Sequence, residues 1–456
     1  MSEPTGVPRR TLGAGATLAS LAQMGAALTG GLMGVVVARI LGPAGTGDVN
    51  VILTAGLVLG LVCSLGVEVG LNYNVAGRRW PAASALRQSQ LVALGLGVLG
   101  AALGVGIALA LRGSAFRGVA VPAIVVGMAA LPFVLAWTYS SYAALAMDRY
   151  EAYALASAGQ NTVALLLAPV LTLPLEVAGA VAAVTVSHAV IAAGLLRWGS
   201  RAFGAAPAGW LGETLSRARQ AISFGLRANV SNILQLLNYR ADLFVLNAVA
   251  TSATVGRYAI AVSITSLGQL MPRALAAVVL PRVSALEAST ETAALDMVVV
   301  KSVRHAVLIA LGTSALLALG LLLVPFVYGR DFEDAIVLGL LLIPGIAFVG
   351  VAAVLSSTIV GKGRPQYSLY NVLIVTPPTL ALYALLIPKL EAVGAALAST
   401  ASYVATTLIA FYFFRRVTGV PPGELLPRTA DLADYRDLAA RIRTRLRRRA
   451  SPSASE

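Results

Sequence analysis

The stretch Ala38–Ile52, ARILGPAGTGDVNVI, joins two long apolar runs, yet it carries an Arg, a Pro, three Gly and an Asp. A second stretch, Leu246–Val262, LNAVATSATVGRYAIAV, has a similar shape: a Gly, a charged residue, then apolar chain. Sliding the sequence by 209 positions lays Ala38 on Asn247, Gly47 on Gly256 and Asp48 on Arg257. Both stretches then follow the first helix of a six-helix block. Six crossings return a chain to its starting side, so two such blocks in tandem are parallel repeats. Within the first stretch, Gly42–Pro43 is expected to end the first helix, because Pro cannot continue it and pushes the preceding residue away from helical angles. Gly45 and Gly47 are expected to permit a tight reversal, and Asp48 to cap the next helix at its positive end. On that reading the stretch is a turn and nothing more, and Asp48→Ala leaves transport per molecule unchanged.

Composition sets the class. Hydrophobic residues are 58% of the 456 and charged residues 12%, with a mean hydropathy of +0.81. A soluble chain of this length needs far more charge to cover its surface. Apolar windows of about 20 residues, the length that spans hydrocarbon, recur from end to end. Twelve spans are expected, near 15–38, 49–71, 90–111, 119–146, 153–173, 177–197, 221–249, 255–280, 302–327, 335–360, 367–387 and 391–414. They are too long and too evenly apolar for barrel strands, so the fold class is an all-α polytopic membrane protein. The first run is too long for a cleaved signal core and is read as a retained helix. The lone Cys63 makes neither an intrachain disulfide nor a metal cluster.

Basic residues set the orientation. With the N-terminus in the cytoplasm, 25 Lys and Arg fall on the cytoplasmic side, 6 on the opposite side, and Arg227, Arg240 and Arg273 within spans. Both termini are therefore expected in the cytoplasm. The net charge of +14 is largely this asymmetry, so it does not call for nucleic acid. The expected organisation is a cytoplasmic N-terminus (1–14), an N-terminal six-helix lobe (15–197), a cytoplasmic linker (198–220), a C-terminal six-helix lobe (221–416) and a basic cytoplasmic tail (417–456). The tail segment DYRDLAARIRTRLRRR (Asp434–Arg449) reads as a basic amphipathic helix with Leu438, Ile442 and Leu446 on one side, suited to anionic lipid. The pairs Gly30/Gly34 and Gly100/Gly104 are expected to let helices approach closely, and Pro377–Pro378 to kink the eleventh span.

Several of these stretches resemble the polysaccharide-biosynthesis membrane proteins, the oligosaccharide flippases. ARILGPAGTGDVNVI looks like the signature after their first helix, and Tyr239–Ala261, YRADLFVLNAVATSATVGRYAIA, like their seventh helix with its Arg-x-Asp. LPRVSAL after the eighth span, GKGRPQY before the eleventh and IPKLEAVGAALASTASY (Ile387–Tyr403) are similar to the family again. The ordered set covers nearly the whole chain. The resemblance implies the fold of the multidrug/oligosaccharidyl-lipid/polysaccharide exporter superfamily: two six-helix lobes rocking about a central cavity. It implies as cargo an undecaprenyl-pyrophosphate-linked oligosaccharide moved from the inner to the outer leaflet, in a bacterial plasma membrane. A polysaccharide polymerase or glycosyltransferases are the implied neighbours. Two departures stand out. Related lipid II flippases usually have fourteen helices, and the first lobe here is sparse in the Asp and Lys clusters that some members use for ion coupling.

Charged and polar groups inside spans are expensive, so each is a candidate site residue. Arg227, Ser231, Gln235, Asn238 and Asp242 recur at spacings of 4, 4, 3 and 4 on the seventh helix. At about 100° per residue that makes one polar stripe. It suits either a cavity wall facing pyrophosphate and sugar hydroxyls or a hydrogen-bonded seam between helices. Arg227 and Arg273 are expected at similar depth near the cytoplasmic mouth, where paired guanidinium bonds suit phosphate. Glu68, with Ser64 and Asn72 one turn either side, is the acidic residue placed to exchange partners with Arg273 or to take up a proton. Gln23 and Gln160–Asn161 are lesser cavity candidates, and His188 reads as a packed histidine. No Walker loop is present and no cofactor or metal is implied; an ion gradient or the membrane potential is the candidate energy source.

Two rival functions fit these residues less well. A cation-coupled multidrug antiporter shares the superfamily fold but calls for an acidic, aromatic cavity, whereas the intramembrane charges here lean basic. A membrane glycosyltransferase or polymerase needs an extensive outer loop or an acidic metal site, and the outer connections are only about 5 to 10 residues long.

Overall fold

The computed structural model describes residues 12–204, 211–289 and 292–436. Among them are thirteen α-helices and no strand. In order these are α1 (Leu12–Ser64), α2 (Val67–Ala76), α3 (Ala82–Ala110), α4 (Val121–Met128), α5 (Leu131–Ala146), α6 (Tyr150–Phe203) and α7 (Thr214–Val249). There follow α8 (Ser252–Ser266), α9 (Leu270–Glu287), α10 (Thr292–Leu321), α11 (Val324–Val327), α12 (Asp334–Gly361) and α13 (Gln366–Thr418).

Eight segments are long and apolar enough to cross a membrane. Three of them are double. α1, α6 and α13 each contain one residue outside helical angles, Gly42, Glu176 and Glu391. The chain reverses at the last two: a Cβ on Gly179 would strike the carbonyl of Leu171, and one on Gly394 that of Leu386, partners far out of reach along a straight helix. α7 is long enough to cross but carries the polar stripe. Twelve crossing limbs result, so the chain is a multi-pass membrane protein.

The two later hairpins expose a repeat that is plain once found. LTLPLEVAGA (171–180) and LIPKLEAVGA (386–395) align at an offset of 215, with Leu-Glu-x-x-Gly-Ala in common. Glu176 (φ 51°) and Glu391 (φ 47°) both take positive φ, and the Gly three residues on lets the two limbs touch backbone to backbone. Two copies of one turn, in the fifth–sixth and eleventh–twelfth limbs, give the tandem halves a second fixed point.

The chain divides into two compact units. The first comprises Met1–Ser263, Leu321–Leu341 and Thr376–Ser399. In it α1 packs along α6, α3 against α5, and α2 against both α5 and α7. Gly97, Gly100 and Gly104 form the small-residue stripe of α3, meeting Pro132, Cys63 and Met128. Gly30 faces Asn161, but Gly34 has no neighbour within 4 Å of a Cβ position, so it serves no close helix contact.

The second unit comprises Ile264–Gly320, Leu342–Val375 and Thr400–Glu456. Its core joins Val283, Val299, Leu355 and Phe414. Helical angles persist through Pro377–Pro378, so the break in α13 lies at Glu391 instead. After the left-handed cap at Gly419 the chain does not run free; it folds back on α10. Val420 and Leu425 are buried, Arg304 donates to the Glu424 carbonyl at 2.6 Å, and its guanidinium lies 3.8 Å from Asp431. Asp431 also accepts the Arg428 N–H at 2.7 Å. Burial together with Asp431 and Asp434 raises the Tyr435 phenol above its ordinary pKa, so it stays neutral and can donate to His305 Nδ1 at 3.1 Å. That tautomer leaves Nε2–H for Asp434, 3.4 Å away. The basic amphipathic segment beyond 436, with Leu438, Ile442 and Leu446, lies outside the described residues.

Both members of the Arg304–Asp431 pair are more than nine-tenths buried. Arg304→Leu strands a buried carboxylate and should cost about 3 kcal/mol. Arg304→Leu with Asp431→Leu should recover most of that loss. Thermal unfolding of the detergent-purified chain reads both; equal stability of Arg304→Leu and wild type would show that the strap contributes nothing.

Candidate transport site

The opening stretch is more than a turn. Gly42 (φ 63°) and Pro43 do separate the first two limbs, as the dipeptide dictates. Gly45 and Gly47, however, lie inside the helix that Pro43 begins, and Asp48 is five residues into it, too far to cap. A Cβ on Gly47 would collide with the Ser252 carbonyl and lie 3.0 Å from Gly256 N. One on Gly256 would collide with the Pro43 carbonyl and lie 3.0 Å from Gly47 N. The two glycines that align at offset 209 therefore touch each other, a pseudo-symmetric crossing of the second limb with α8. Asp48 is half-buried beside this crossing, with Oδ1 buried and without a hydrogen-bond partner among the described residues. Arg39 donates to the carbonyls of Val327 (2.8 Å) and Phe326 at the end of α11, where helix carbonyls lack partners. Arg257 donates to Asp331 O at 2.8 Å and pairs with Asp334 at 3.2 Å. Each of these residues belongs to the first unit, at the end of the first limb away from Leu12; we call this the far seam.

A second backbone contact lies at the other end of the second limb. The second limb breaks at Leu65 (φ 49°) and Gly66 (φ 75°) and resumes as α2. Gly66 meets Gly225 and Gly70 meets Ala221, the two Gly66–Gly225 approaches bringing Cα to within 3.0 Å of a Cβ position. Tyr73 stacks on Phe224 at 4.4 Å, and Arg217 of α7 donates to Ser84 (2.9 Å) and Gln88 (3.1 Å) of α3. This near seam also lies wholly in the first unit.

The break frees carbonyls, and side chains answer them. Tyr139 OH donates to Ser64 O at 3.0 Å, and Asn229 donates to Leu61 O at 2.9 Å. Glu68 sits beside the break, 6% exposed, with Oε1 3.4 Å from Ser64 Oγ and Oε2 buried without a hydrogen-bond partner among the described residues. A carboxylate so placed is costly unless it takes a proton or a cation. Asn72, one turn on, is half-buried.

The stripe of α7 splits in two. Asn238 and Asp242 are buried, and Asp242 accepts from Tyr258 OH at 2.5 Å, Ser399 Oγ at 3.2 Å and its neighbour's N–H. Tyr383 OH reaches Ser399 at 3.1 Å and the Asn238 carbonyl at 3.0 Å. This outer part is a seam joining α7, α8 and α13, not a cavity wall. The hydroxyls of Tyr258, Tyr383 and Ser399 lie on other elements, so the chain's linear order hides them. Gln235 is exposed and Ser231 half-buried, so only this inner part can face a solvent-filled path. Arg227 lies on α7 with its side chain outside the described residues. Asp242→Ala removes the shared acceptor of two buried hydroxyls, and about 3 kcal/mol of stability should go with it. Membrane abundance measures this; wild-type abundance would show that the network is not structural.

Arg273, on α9 in the second unit, is exposed and donates to Gln269, the residue just before that helix. Gln23 is exposed and donates to Tyr153 OH at 3.1 Å. Gln160 donates to Ser187 at 3.0 Å, and His188 bonds the Val184 carbonyl and lies edge-on to Trp137. His188 is packed.

The twelve limbs in tandem halves define a two-lobe membrane transporter fold. Solved transporters share it. An inward-facing multidrug resistance MATE family transporter of the MOP superfamily aligns with a TM-score of 0.66 at 16% identity, over 88% of this chain and 98% of that one. Lipid II flippase MurJ, in an inward closed conformation, gives 0.69 at 12% identity, over 90% and 89%. A MOP superfamily transporter from Pyrococcus furiosus, described by a binding pocket of reverse polarity, gives 0.59 at 17% identity, over 90% and 97%. No family model matches the sequence. No curated protein matches it either.

Proposed function

We propose that the chain is a flippase that moves an undecaprenyl-pyrophosphate-linked oligosaccharide from the inner to the outer leaflet of a bacterial plasma membrane, by alternating access of two lobes. The fold supports a flippase and a multidrug antiporter equally. The sign of the accessible intramembrane charge favours the flippase. Arg273 is exposed within the span Ser252–Glu287, whereas the acidic groups Glu68 and Asp242 are buried. An exposed guanidinium at that depth is tolerated where it faces a water-filled path and an anionic cargo. A drug cation would meet the wrong sign there. In this reading both termini are cytoplasmic, the near seam closes the cytoplasmic side and the far seam the outer side. Glu68, buried beside the near seam, is the candidate for ion coupling, since parting Gly66 from Gly225 opens a path for water to reach it.

Arg273→Lys keeps the charge and loses the paired geometry, and should complement a flippase-deficient strain poorly at normal membrane abundance. Arg273→Ala should fail altogether. Full complementation by Arg273→Ala would remove Arg273 from cargo binding, and resistance to cationic drugs conferred by the wild type would favour the antiporter.

A further inference from the structure

Beside the near seam, which holds Ser84 and Gln88, a cavity of about 360 Å³ opens between the start of α3 and the end of α6. Arg87 and Arg197 line it, with Ala83, Leu86, Ser200 and Gly204, the residue that follows α6. No carboxylate is among its lining residues. Arg87 is half-buried and held in place by a 3.2 Å bond to the Gly204 carbonyl; Arg197 is exposed. The floor is tight, since a Cβ on Gly199 would run into Leu86. α3 begins after Pro81 with no side-chain cap, so its first N–H groups and the positive end of a 29-residue helix also face this region.

Below each arginine runs an exposed apolar ladder. From Arg87, Leu91, Leu94 and Val98 follow at steps of 4, 3 and 4, which keeps them on one helix face. From Arg197, counting back, Ala193, Val190 and Val186 follow at the same steps on α6. The two helices pack on each other, so two arginines head two antiparallel apolar ladders. Positive charge with apolar surface beneath it suits a lipid with a net negative headgroup, and a membrane supplies anionic phospholipid in bulk.

We propose that this cavity is a binding site for an anionic phospholipid, its phosphodiester held by Arg87, Arg197 and the start of α3 and its acyl chains lying along the two ladders. The proposal does not depend on what the cargo is. Free phosphate has the headgroup's chemistry but not the ladders' partner, so the two sources can be told apart.

The test is native mass spectrometry of the full-length, detergent-purified chain with phosphatidylglycerol or phosphatidylcholine. Wild type should retain phosphatidylglycerol preferentially. Arg87→Gln with Arg197→Gln should weaken that retention about thirtyfold, at roughly 1 kcal/mol for each of the two basic residues near the surface. Arg78→Gln with Arg79→Gln, which lie outside the cavity lining, should leave it unchanged. Ala83→Glu, which keeps both arginines and adds a repelling charge, should weaken it as well, and serves if the double variant fails to fold. Absence of any preference in wild type would overturn the proposal, as would undiminished preference in either cavity variant. Displacement of phosphatidylglycerol by 10 mM inorganic phosphate would make the ligand a free anion and overturn the lipid assignment.

Discussion

Gly47→Val should abolish translocation while leaving the protein folded in the membrane. A side chain there would meet the backbone carbonyl of Ser252, and no rotamer change relieves a clash with backbone. Overpacking of this kind costs about 1–3 kcal/mol, occasionally more, but only in the state whose far seam is closed. A cycle that must pass through that state is blocked, and the population moves to the state with the seam parted. The measurement is maleimide labelling of Thr46→Cys, a buried position beside the glycine, in a Cys63→Ser background. Labelling should rise about tenfold or more with Gly47→Val, in line with the cost above. Gly256→Val should do the same, since its Cβ would meet the Pro43 carbonyl. Gly34→Val, which meets nothing within 4 Å, is the control and should transport normally. Unchanged labelling and normal transport in Gly47→Val would show that the seam is never required to close.

Gly225→Val should have the opposite sense. Its Cβ would strike the Gly66 carbonyl at the helix break, so the state with the near seam closed is the one penalised. Transport should be lost again, but the newly reactive position should be Leu71→Cys, 2% exposed in the closed seam, and Thr46→Cys should stay protected. The crossed pattern separates a defect in gating from general loosening, which would raise labelling at both positions. If both reporters respond alike to both valines, the two seams do not act as alternating closures.

Glu68 ties the second experiment to energetics. Its Oε2, without a hydrogen-bond partner among the described residues, lies beside Gly66, which meets Gly225. Ion dependence of the Leu71→Cys labelling, lost in Glu68→Gln, is what a coupling role requires.

The class, the number of crossings and the expected topology could all be read from consecutive residues. Spanning length, apolar composition and the bias of Lys and Arg are local properties, written in consecutive residues and independent of partners. The tandem halves were legible too, through Gly47 and Gly256, and the Leu-Glu-x-x-Gly-Ala repeat at Glu176 and Glu391 was there to be matched. What those residues do was decided only by tertiary structure. Gly45–Gly47 read as a flexible reversal, because a glycine's sequence context cannot say whether its missing Cβ frees a turn or admits another backbone. The stripe of α7 read as one surface, because helical spacing gives a face and not its neighbour; the buried hydroxyls of Tyr258, Tyr383 and Ser399 made its outer part a seam. The docked segment after Gly419 was hidden for the same reason, since Arg304 and Asp431 are 127 residues apart and nothing local pairs them. Periodicity fixes direction along and around one helix, and function here depends on which surfaces of different helices meet.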